Sequence, residues 1–425
     1  MELLLVLLGI LALILLRVPV AFAIIGPCLA YYAIHGRATG SGLKAVFDSV
    51  NSFPLLAVPL FIFVGVVANR LGVADRIFEF CLAAMSKVRG NLAYVNVASS
   101  VGFAWMSGSA LADAAGLGKV QVPAMLKAGY PARFSMGLTA ASTLVSPVMP
   151  PSIPAVLFAA TASISTGALF AASILPALLI ALGLLVYVFI WLRRNPDIQS
   201  VPFDGARLLT ATRRVLLPMG APVIILGGII GGFFTPTEAA GIAALYMLLL
   251  GLIFRSLTVR VLWEAAKETV FLAGGIMIII GAAGILGQVL ARERVAPMLA
   301  DAMTALTDNP LVFLIIVNLL LIALGAFIDA SAVIIVTVPV LLPLAVSYGV
   351  DPVHFGVVMI VNLMIGLLTP PVGAVLYVMS SVTGRPVEAV FRGVLPFLVP
   401  LVCVLVLLTF FPAIVTVVPT LLGFQ

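Results

Sequence analysis

SPVMPPSIP at 146–154 and GLLTPPVG at 366–373 each set a Pro-Pro pair in the middle of an apolar stretch. Proline has no N–H to donate, and its ring clashes with the carbonyl four residues back, so neither stretch can run as one continuous helix. Pro150-Pro151 and Pro370-Pro371 lie 220 residues apart, and so do Pro123 and Pro343, Gly129 and Gly349, and Pro176 and Pro396. One proline pair can agree by chance; four markers at one offset indicate an internal repeat. Upstream the register drifts slightly, pairing Gly65 with Gly284 and Val18-Pro19 with Thr235-Pro236. The chain therefore reads as two similar halves, 1–192 and 216–425, joined by a polar linker at 193–215.

Of the 425 residues, 63% are hydrophobic and only 9% charged, where soluble domains carry about 25% charged residues. No soluble core could hide that much apolar side chain, so the solvent is lipid. The net charge of +6 is thinly spread and reads as a topology signal, not as a nucleic-acid surface. Cys28, Cys81 and Cys403 are scattered, which implies neither a disulfide framework nor a metal site. The N-terminus lacks a basic region and a small-residue cleavage site, so it is expected to be a retained span. No G-x-x-x-x-G-K-[ST] loop occurs, which leaves an ion gradient or a partner, not ATP, to drive any transport. His35 and His354 fall in expected loops. An intramembrane hydrolase built on Ser109 or Ser146 would then lack a base, and no enzyme is expected.

Each half reads alike: two short apolar segments (1–16 and 18–34; 216–234 and 238–254), one helix (51–69; 270–290) and an amphipathic stretch (70–89; 291–309). An interrupted apolar region follows (91–127; 311–346), then a proline-broken helix (134–160; 353–381) and a closing helix (170–192; 393–415). The interrupted regions are too long for one span of about 20 residues and too short for two plus a loop. Their centres, SGSALADAAG at 107–116 and GAFIDAS at 325–331, are small and polar, which fits re-entrant hairpins. Lys87, Arg89, Lys127, Arg133, Arg193 and Arg194 in half one face non-basic counterparts in half two, while the uncharged bend at 161–170 corresponds to one with Arg385 and Arg392. Under the positive-inside rule, matching loops lie on opposite sides. Arg37, Lys44, Arg292 and Arg294 run against this pattern. The expected fold is an all-α polytopic membrane protein with an inverted repeat, two re-entrant hairpins, two broken helices and ten spans, an elevator-type ion-transporter architecture. Its linker is cytoplasmic and both termini are outside.

Irregular backbone survives in a bilayer only where protein buries it or a cavity uses it, and inverted repeats place transport sites there. Carbonyls near Thr143–Pro147 and Leu363–Leu368 are expected to lose partners to the prolines. With the hydroxyls of Ser107, Ser109, Ser146 and Thr369 they form hard-oxygen sets suited to sodium. Half-helices restarting at Pro151 and Pro371 would aim positive dipole ends at a carboxylate. Asp329, at the second tip, reads equally as a cation ligand or a helix cap. Asp113 reads as structural; pairing with Lys119 is the alternative, although residues six apart share a helix face poorly. Gly281-Ala-Ala-Gly284-Ile-Leu-Gly287 reads as small-residue helix packing, Glu238 as a helix cap, and Trp105 as either hairpin filling or substrate wall.

SGSALADAAGLG (107–118), TLVSPVMPPSIPAVLF (143–158), FIDASA (327–332), VPVLLPLA (338–345), DPVHFGVVMIVNLMIGLLTPPVGAVLYV (351–378) and FFPAIV (410–415) resemble the large membrane subunit of TRAP (tripartite ATP-independent periplasmic) transporters. The resemblance covers essentially the whole chain. It implies sodium-coupled uptake of an organic anion such as a C4-dicarboxylate or sialic acid, with two or more co-transported sodium ions and no organic cofactor. It also implies a small four-helix membrane subunit, here a separate polypeptide, and a periplasmic substrate-binding protein, all at a bacterial inner membrane. Carried onto this sequence, it puts one sodium site at Ser107, Gly108, Ser109, Ser146 and Pro147, and another at Gly325, Ile328, Asp329, Gly366 and Thr369. Substrate would lie between the tips, near Ser109, Ser146, Pro150, Pro151, Ser152, Ala330, Thr369, Pro370 and Pro371. Lys119 departs from the family, which more often has a small or apolar residue there. A stand-alone sodium–divalent-anion symporter of similar architecture is the alternative reading.

Overall fold

The structure, a computed structural model, describes residues 2–16, 18–35, 39–195, 198 and 205–424, and all their regular structure is helical. Arg37 and linker residues 196–197 and 199–204 lie outside the described residues. Half one begins with Glu2–Leu15, Val20–Ile34, Thr39–Val50, a 3-10 turn at Phe53–Leu56 leading into Ala57–Arg70, and Val73–Ala84. The first hairpin runs in along Asn91–Ser107 and returns along Ala110–Gly116 and Gly118–Lys127. The first broken helix is Ala132–Ser142 plus Ile153–Ala162, and Thr166–Arg194 closes the half. Half two has Gly205–Leu216, Gly220–Ile230, Pro236–Ile253, Val259–Arg292 and Val295–Leu306, then the second hairpin, Pro310–Phe327 and Ala330–Ser347. Its broken helix is Pro352–Gly366 plus Ala374–Thr383, and Val387–Phe410 and Ala413–Leu421 end the chain.

Among the described residues, seven helices are individually long and apolar enough to cross a bilayer, or eight if Gly205–Leu216 and Gly220–Ile230, bent by 48°, make one span. The ten expected spans include two short N-terminal helices and two broken helices that this length criterion omits. Conversely, it admits both 18-residue arms of the second hairpin. Those arms nevertheless turn at a cavity inside the protein, where the first hairpin also turns, as re-entrant segments do.

The sequence reading misses two helices and misjudges the extent of a third. Thr39–Val50 is a helix, although its glycines and serine look loop-like. It is held by Val259–Arg292, where a Cβ on Gly284 would sit 1.8 Å from Ser49 Oγ and one on Gly281 would sit 2.7 Å from Val46. The glycines therefore pack helices, as expected. The helix read at 270–290 extends over Val259–Arg292 without a break, whereas its counterpart is interrupted at Phe53–Leu56, where Pro54 occupies the first turn. The linker also carries an unanticipated helix, Gly205–Leu216. Glu238 does cap: its carboxylate accepts the Thr235 N–H at 2.8 Å while Thr235 Oγ1 accepts the Glu238 N–H at 3.3 Å, a capping box.

Two groups of helices emerge. Glu2–Leu15, Val20–Ile34, Thr39–Val50, Ala57–Arg70, Pro236–Ile253 and Val259–Arg292 pack on one another as a framework. The hairpins, broken helices and closing helices form the other group, and they interlock. Ile153–Ala162 packs on the second hairpin's return arm, and Ala374–Thr383 on the first hairpin's return arm. Each half's break thus leans on the other half's hairpin.

The basic segments gather at one end of this group. A Cβ on Gly90 would press on Leu192, Trp191 stacks on Phe134 at 3.7 Å, and Gly393 lies against the Arg133 carbonyl. His354, read as a loop residue, is instead buried in the first turn of Pro352–Gly366, with Nε2 2.8 Å from the Leu408 carbonyl. A carbonyl only accepts, so Nε2 carries the proton. Residue 412 is proline, which leaves that carbonyl without its helical N–H.

Candidate functional site

The two hairpin tips meet across a cavity of about 340 Å³. Ser107, Gly108 and Ser109 approach from one side, and Asp329, Ala330 and Ser331 from the other. Pro147, Ile153 and Pro154 of the first break and Met364 and Leu367 beside the second complete that wall. The opposite wall is framework and almost wholly apolar: Ile62, Gly65 and Val66, with Phe271, Leu272, Gly275, Ile276 and Ile279.

Both return arms start at this cavity. Ser109 has an extended φ of −139° and caps Ala110–Gly116, its Oγ accepting the Ala112 N–H at 3.4 Å. Asp329, 220 residues on, caps Ala330–Ser347, its Oδ1 accepting the Ser331 N–H at 2.9 Å. First-turn N–H groups lack intrahelical partners, and the dipole adds partial positive charge there. Two such ends converge on the cavity and favour an anion between them.

Each tip is seated on its own half's break. Gly108 has φ +56°, which favours glycine, and a Cβ there would lie 2.5 Å from the Pro151 carbonyl oxygen. On the other side, a Cβ on Gly366 would lie 2.6 Å from the Gly325 carbonyl carbon, and the Val372 N–H donates to the Ala326 carbonyl at 3.0 Å. Both Pro-Pro peptide bonds are cis.

Of the residues singled out from sequence, the cavity wall contains Ser107, Gly108, Ser109, Pro147, Asp329 and Ala330. The others sit behind or beside it. Ser152 is buried, caps Ile153–Ala162 and donates to the Pro147 carbonyl. Pro150 and Pro151 are buried, whereas Pro370 and Pro371 are exposed. Gly325 and Gly366 are held in backbone contact, and the Ile328 N–H closes its arm on the Leu324 carbonyl at 2.9 Å. Thr369 Oγ1 donates to the Ile365 carbonyl at 3.1 Å. The half-helices restart at Ile153 and Ala374, later than Pro151 and Pro371, and only the first of these starts borders the cavity. Trp105 packs on the core and is not part of the wall.

The breaks bare fewer carbonyls than the prolines alone imply. Thr143 and Val145 accept from Ser146 and Met149 at 3.2 and 2.8 Å, and Gly366 accepts from Thr369 at 2.9 Å. Among the described residues no hydrogen bond reaches the carbonyls of Ser146 or Leu367.

Ser146 is fully buried, and its Oγ donates to Asp113 Oδ2 at 2.6 Å. This bond joins the first hairpin to the first break. Asp113 is itself fully buried while Lys119 is exposed, so Asp113 turns to Ser146. Its Oδ1, together with Ser107 Oγ and Gln121 Oε1, has no hydrogen-bond partner among the described residues.

A buried polar lattice lies beside this pair, and sequence reading overlooked it. Asn96 donates to Thr139 at 2.6 Å and accepts from Ser142 at 2.8 Å, and Gln121 donates to Ser99 at 2.9 Å. Half two answers with Asn362 donating to Asn318 at 2.8 Å and Asn318 to Thr409 at 2.9 Å. A usable signal existed: uncharged polar residues inside apolar spans, with Ser142 and Asn362 at the 220-residue offset.

Comparison with known proteins shows the family. Residues 7–414 match the family described as tripartite ATP-independent periplasmic transporter, DctM component. The sialic acid TRAP transporter large permease protein of Vibrio cholerae is 40% identical over 416 residues, covering 97% of each chain. The C4-dicarboxylate TRAP transporter large permease protein of Pseudomonas aeruginosa is 37% identical over 384 residues, covering 89% of each. Among solved structures, the YdaH transporter of Alcanivorax borkumensis superposes with a TM-score of 0.54 over 87% of each chain at 18% identity, a likeness of fold alone. A family match over nearly the whole length, with relatives this similar from end to end, makes the chain a multi-pass member of the DctM-component family of tripartite ATP-independent periplasmic transporters.

Proposed function

We propose that this chain is the large permease subunit of a tripartite transporter that takes up an organic anion together with sodium, binding both around the cavity between the hairpin tips. The observation that carries the reading is the convergence of two helix N-termini on one cavity, where Asp329 is the sole charged wall residue among the described residues. N–H groups and hydroxyls can hold a carboxylate, the group borne by the relatives' named substrates. The Asp329 carboxylate would repel that anion, which a co-transported cation beside it would relieve. A buried carboxylate without a basic partner, as Asp113 is, likewise calls for a cation or a proton.

The framework on one wall and the hairpin group on the other support elevator-type sliding of one against the other. The gathering of segments 87–90, 127–133, 193–194 and 385–393 at one end supports their common placement on the cytoplasmic side, and so the inverted arrangement. The proposed partners are a small membrane subunit and a periplasmic substrate-binding protein, at the inner membrane.

Reconstitution with those partners tests the reading. Uptake of a labelled carboxylate into liposomes is expected to need a sodium gradient and both partners. Unchanged uptake when choline replaces sodium on both sides rejects sodium coupling, and full uptake by the subunit alone favours the stand-alone symporter. Within this assay Asp329→Asn is informative, because Asn caps helices as well as Asp does. Folding should be preserved while the sodium concentration for half-maximal uptake rises about tenfold or more, the equivalent of about 1.4 kcal/mol. An unaltered sodium dependence would make Asp329 a cap and nothing else.

A further inference from the structure

We propose that the cleft between the first broken helix and the second closing helix binds the headgroup of one anionic phospholipid of the phosphatidylglycerol type. Two adjoining cavities, about 380 and 530 Å³, share Arg133 and Arg392 in their walls. Arg385 lines the larger one, and among the described residues Glu388 is the sole carboxylate there. Three guanidiniums thus face one carboxylate. All four side chains are exposed, and among the described residues none of the three arginines has a carboxylate within salt-bridge distance.

The fold imposes this arrangement. Helices Ala132–Ser142 and Val387–Phe410 cross in backbone contact: a Cβ on Gly137 would lie 2.0 Å from the Gly393 carbonyl oxygen, and one on Gly393 2.5 Å from the Arg133 carbonyl oxygen. That crossing brings Arg133 of one half beside Arg392 of the other. Uncompensated, the cluster repels itself; a phosphate oxygen pair matches the guanidinium fork and relieves it.

Two observations select a lipid over a soluble anion. The smaller cavity is walled by Phe134, Tyr187, Trp191 and Phe397, aromatic rings of the kind that sit at the headgroup level. From it, exposed apolar side chains continue along both closing helices, Val186 and Ile190 on one and Leu395, Val399 and Val402 on the other. Acyl chains fit that surface, whereas a free phosphate leaves it bare. Basic pockets between spanning helices on the cytoplasmic side hold anionic headgroups in this manner, and the arginines lie in segments assigned to that side. The identity of the transported anion does not enter.

The full-length chain, purified in detergent and titrated with dioleoyl phosphatidylglycerol or dioleoyl phosphatidylcholine, provides the test, with retained lipid counted by native mass spectrometry. One phosphatidylglycerol is expected to be retained in preference to phosphatidylcholine. The Arg133→Gln/Arg392→Gln pair should weaken that retention at least about tenfold, the scale of one lost charge-assisted hydrogen bond. Arg385→Gln, on an exposed turn, should lower retention by itself and serves if the double variant does not fold. Equal retention of both lipids overturns the proposal, as does phosphatidylglycerol retention unchanged in either variant. Competition by millimolar inorganic phosphate as effective as by the lipid would make this a free-anion site and overturn it as well.

Discussion

Gly366→Ala is expected to abolish uptake while leaving a membrane-inserted chain. The added Cβ would lie 2.6 and 2.7 Å from the carbonyl carbon and Cα of Gly325 and 3.1 Å from the Ala326 nitrogen. All three are backbone atoms, so no rotamer change makes room, and the second hairpin has to lift off its broken helix. Lifting breaks the bonds that the Val372 and Gly373 N–H groups make to the Ala326 carbonyl at 3.0 and 3.4 Å. Overpacking of this kind costs about 1–3 kcal/mol, which a large membrane protein can survive as a folded molecule. The second tip, carrying Asp329, would nevertheless no longer face the first across the cavity. Uptake in proteoliposomes with the partner components should therefore fall by more than about tenfold, since small displacements of a positioned group cost that much or more. Gly108→Ala should behave alike in half one, where positive φ adds strain. Gly227→Ala is the control: nothing lies within 4 Å of its Cβ position, and alanine favours the helix by about 1 kcal/mol. Wild-type uptake by Gly366→Ala would show that the tip need not stay seated.

Those two glycines illustrate what the sequence could and could not disclose. The Pro-Pro pairs were legible because proline acts on its own backbone, and the repeat multiplied the signal. Hairpin tips were legible as small polar runs in apolar sequence. By contrast, the partner that seats each tip is fixed only by the tertiary crossing. Gly108 meets Pro151, 43 residues away, and Gly366 meets Gly325, 41 residues away. Thr39–Val50 was missed for the same reason: its helix depends on the groove that Gly281 and Gly284 open in a helix more than 200 residues downstream. His354 looked like a loop residue because its task, serving the Leu408 carbonyl left open by Pro412, lies on another helix. Asp113 reads from sequence as structural, with Lys119 as an alternative partner; its contact is instead Ser146, 33 residues away, a link between hairpin and break that no local pattern discloses.

Asp113→Asn is expected to reduce the gain in the protein's thermal stability that sodium brings. The wild-type carboxylate is fully buried, receives the Ser146 hydroxyl at 2.6 Å on Oδ2 and has no hydrogen-bond partner on Oδ1 among the described residues. If a sodium ion completes that oxygen, binding stabilises the folded state by RT ln(1 + [Na]/Kd), about 2.7 kcal/mol at one hundred times Kd. Asn preserves shape and can still accept from Ser146 through its amide oxygen, but it brings no charge, and its NH2 group turns a donor toward the ion's position. The wild type should melt higher in sodium than in choline, and the variant should show a smaller difference, because only the site beside Asp329 remains. Ser107→Ala sharpens the result. Its Oγ is buried without a partner, and such a group costs about 1–3 kcal/mol, so its removal should raise stability in choline. If Ser107 is a ligand, the same removal should lower the sodium-induced gain, and the two effects then have opposite signs in one variant. A packing role alone cannot yield that crossing, because packing does not depend on which cation is present. A sodium-dependent shift that persists at wild-type size in Asp113→Asn would mean that the buried carboxylate is held as the acid, with its proton in place of the ion.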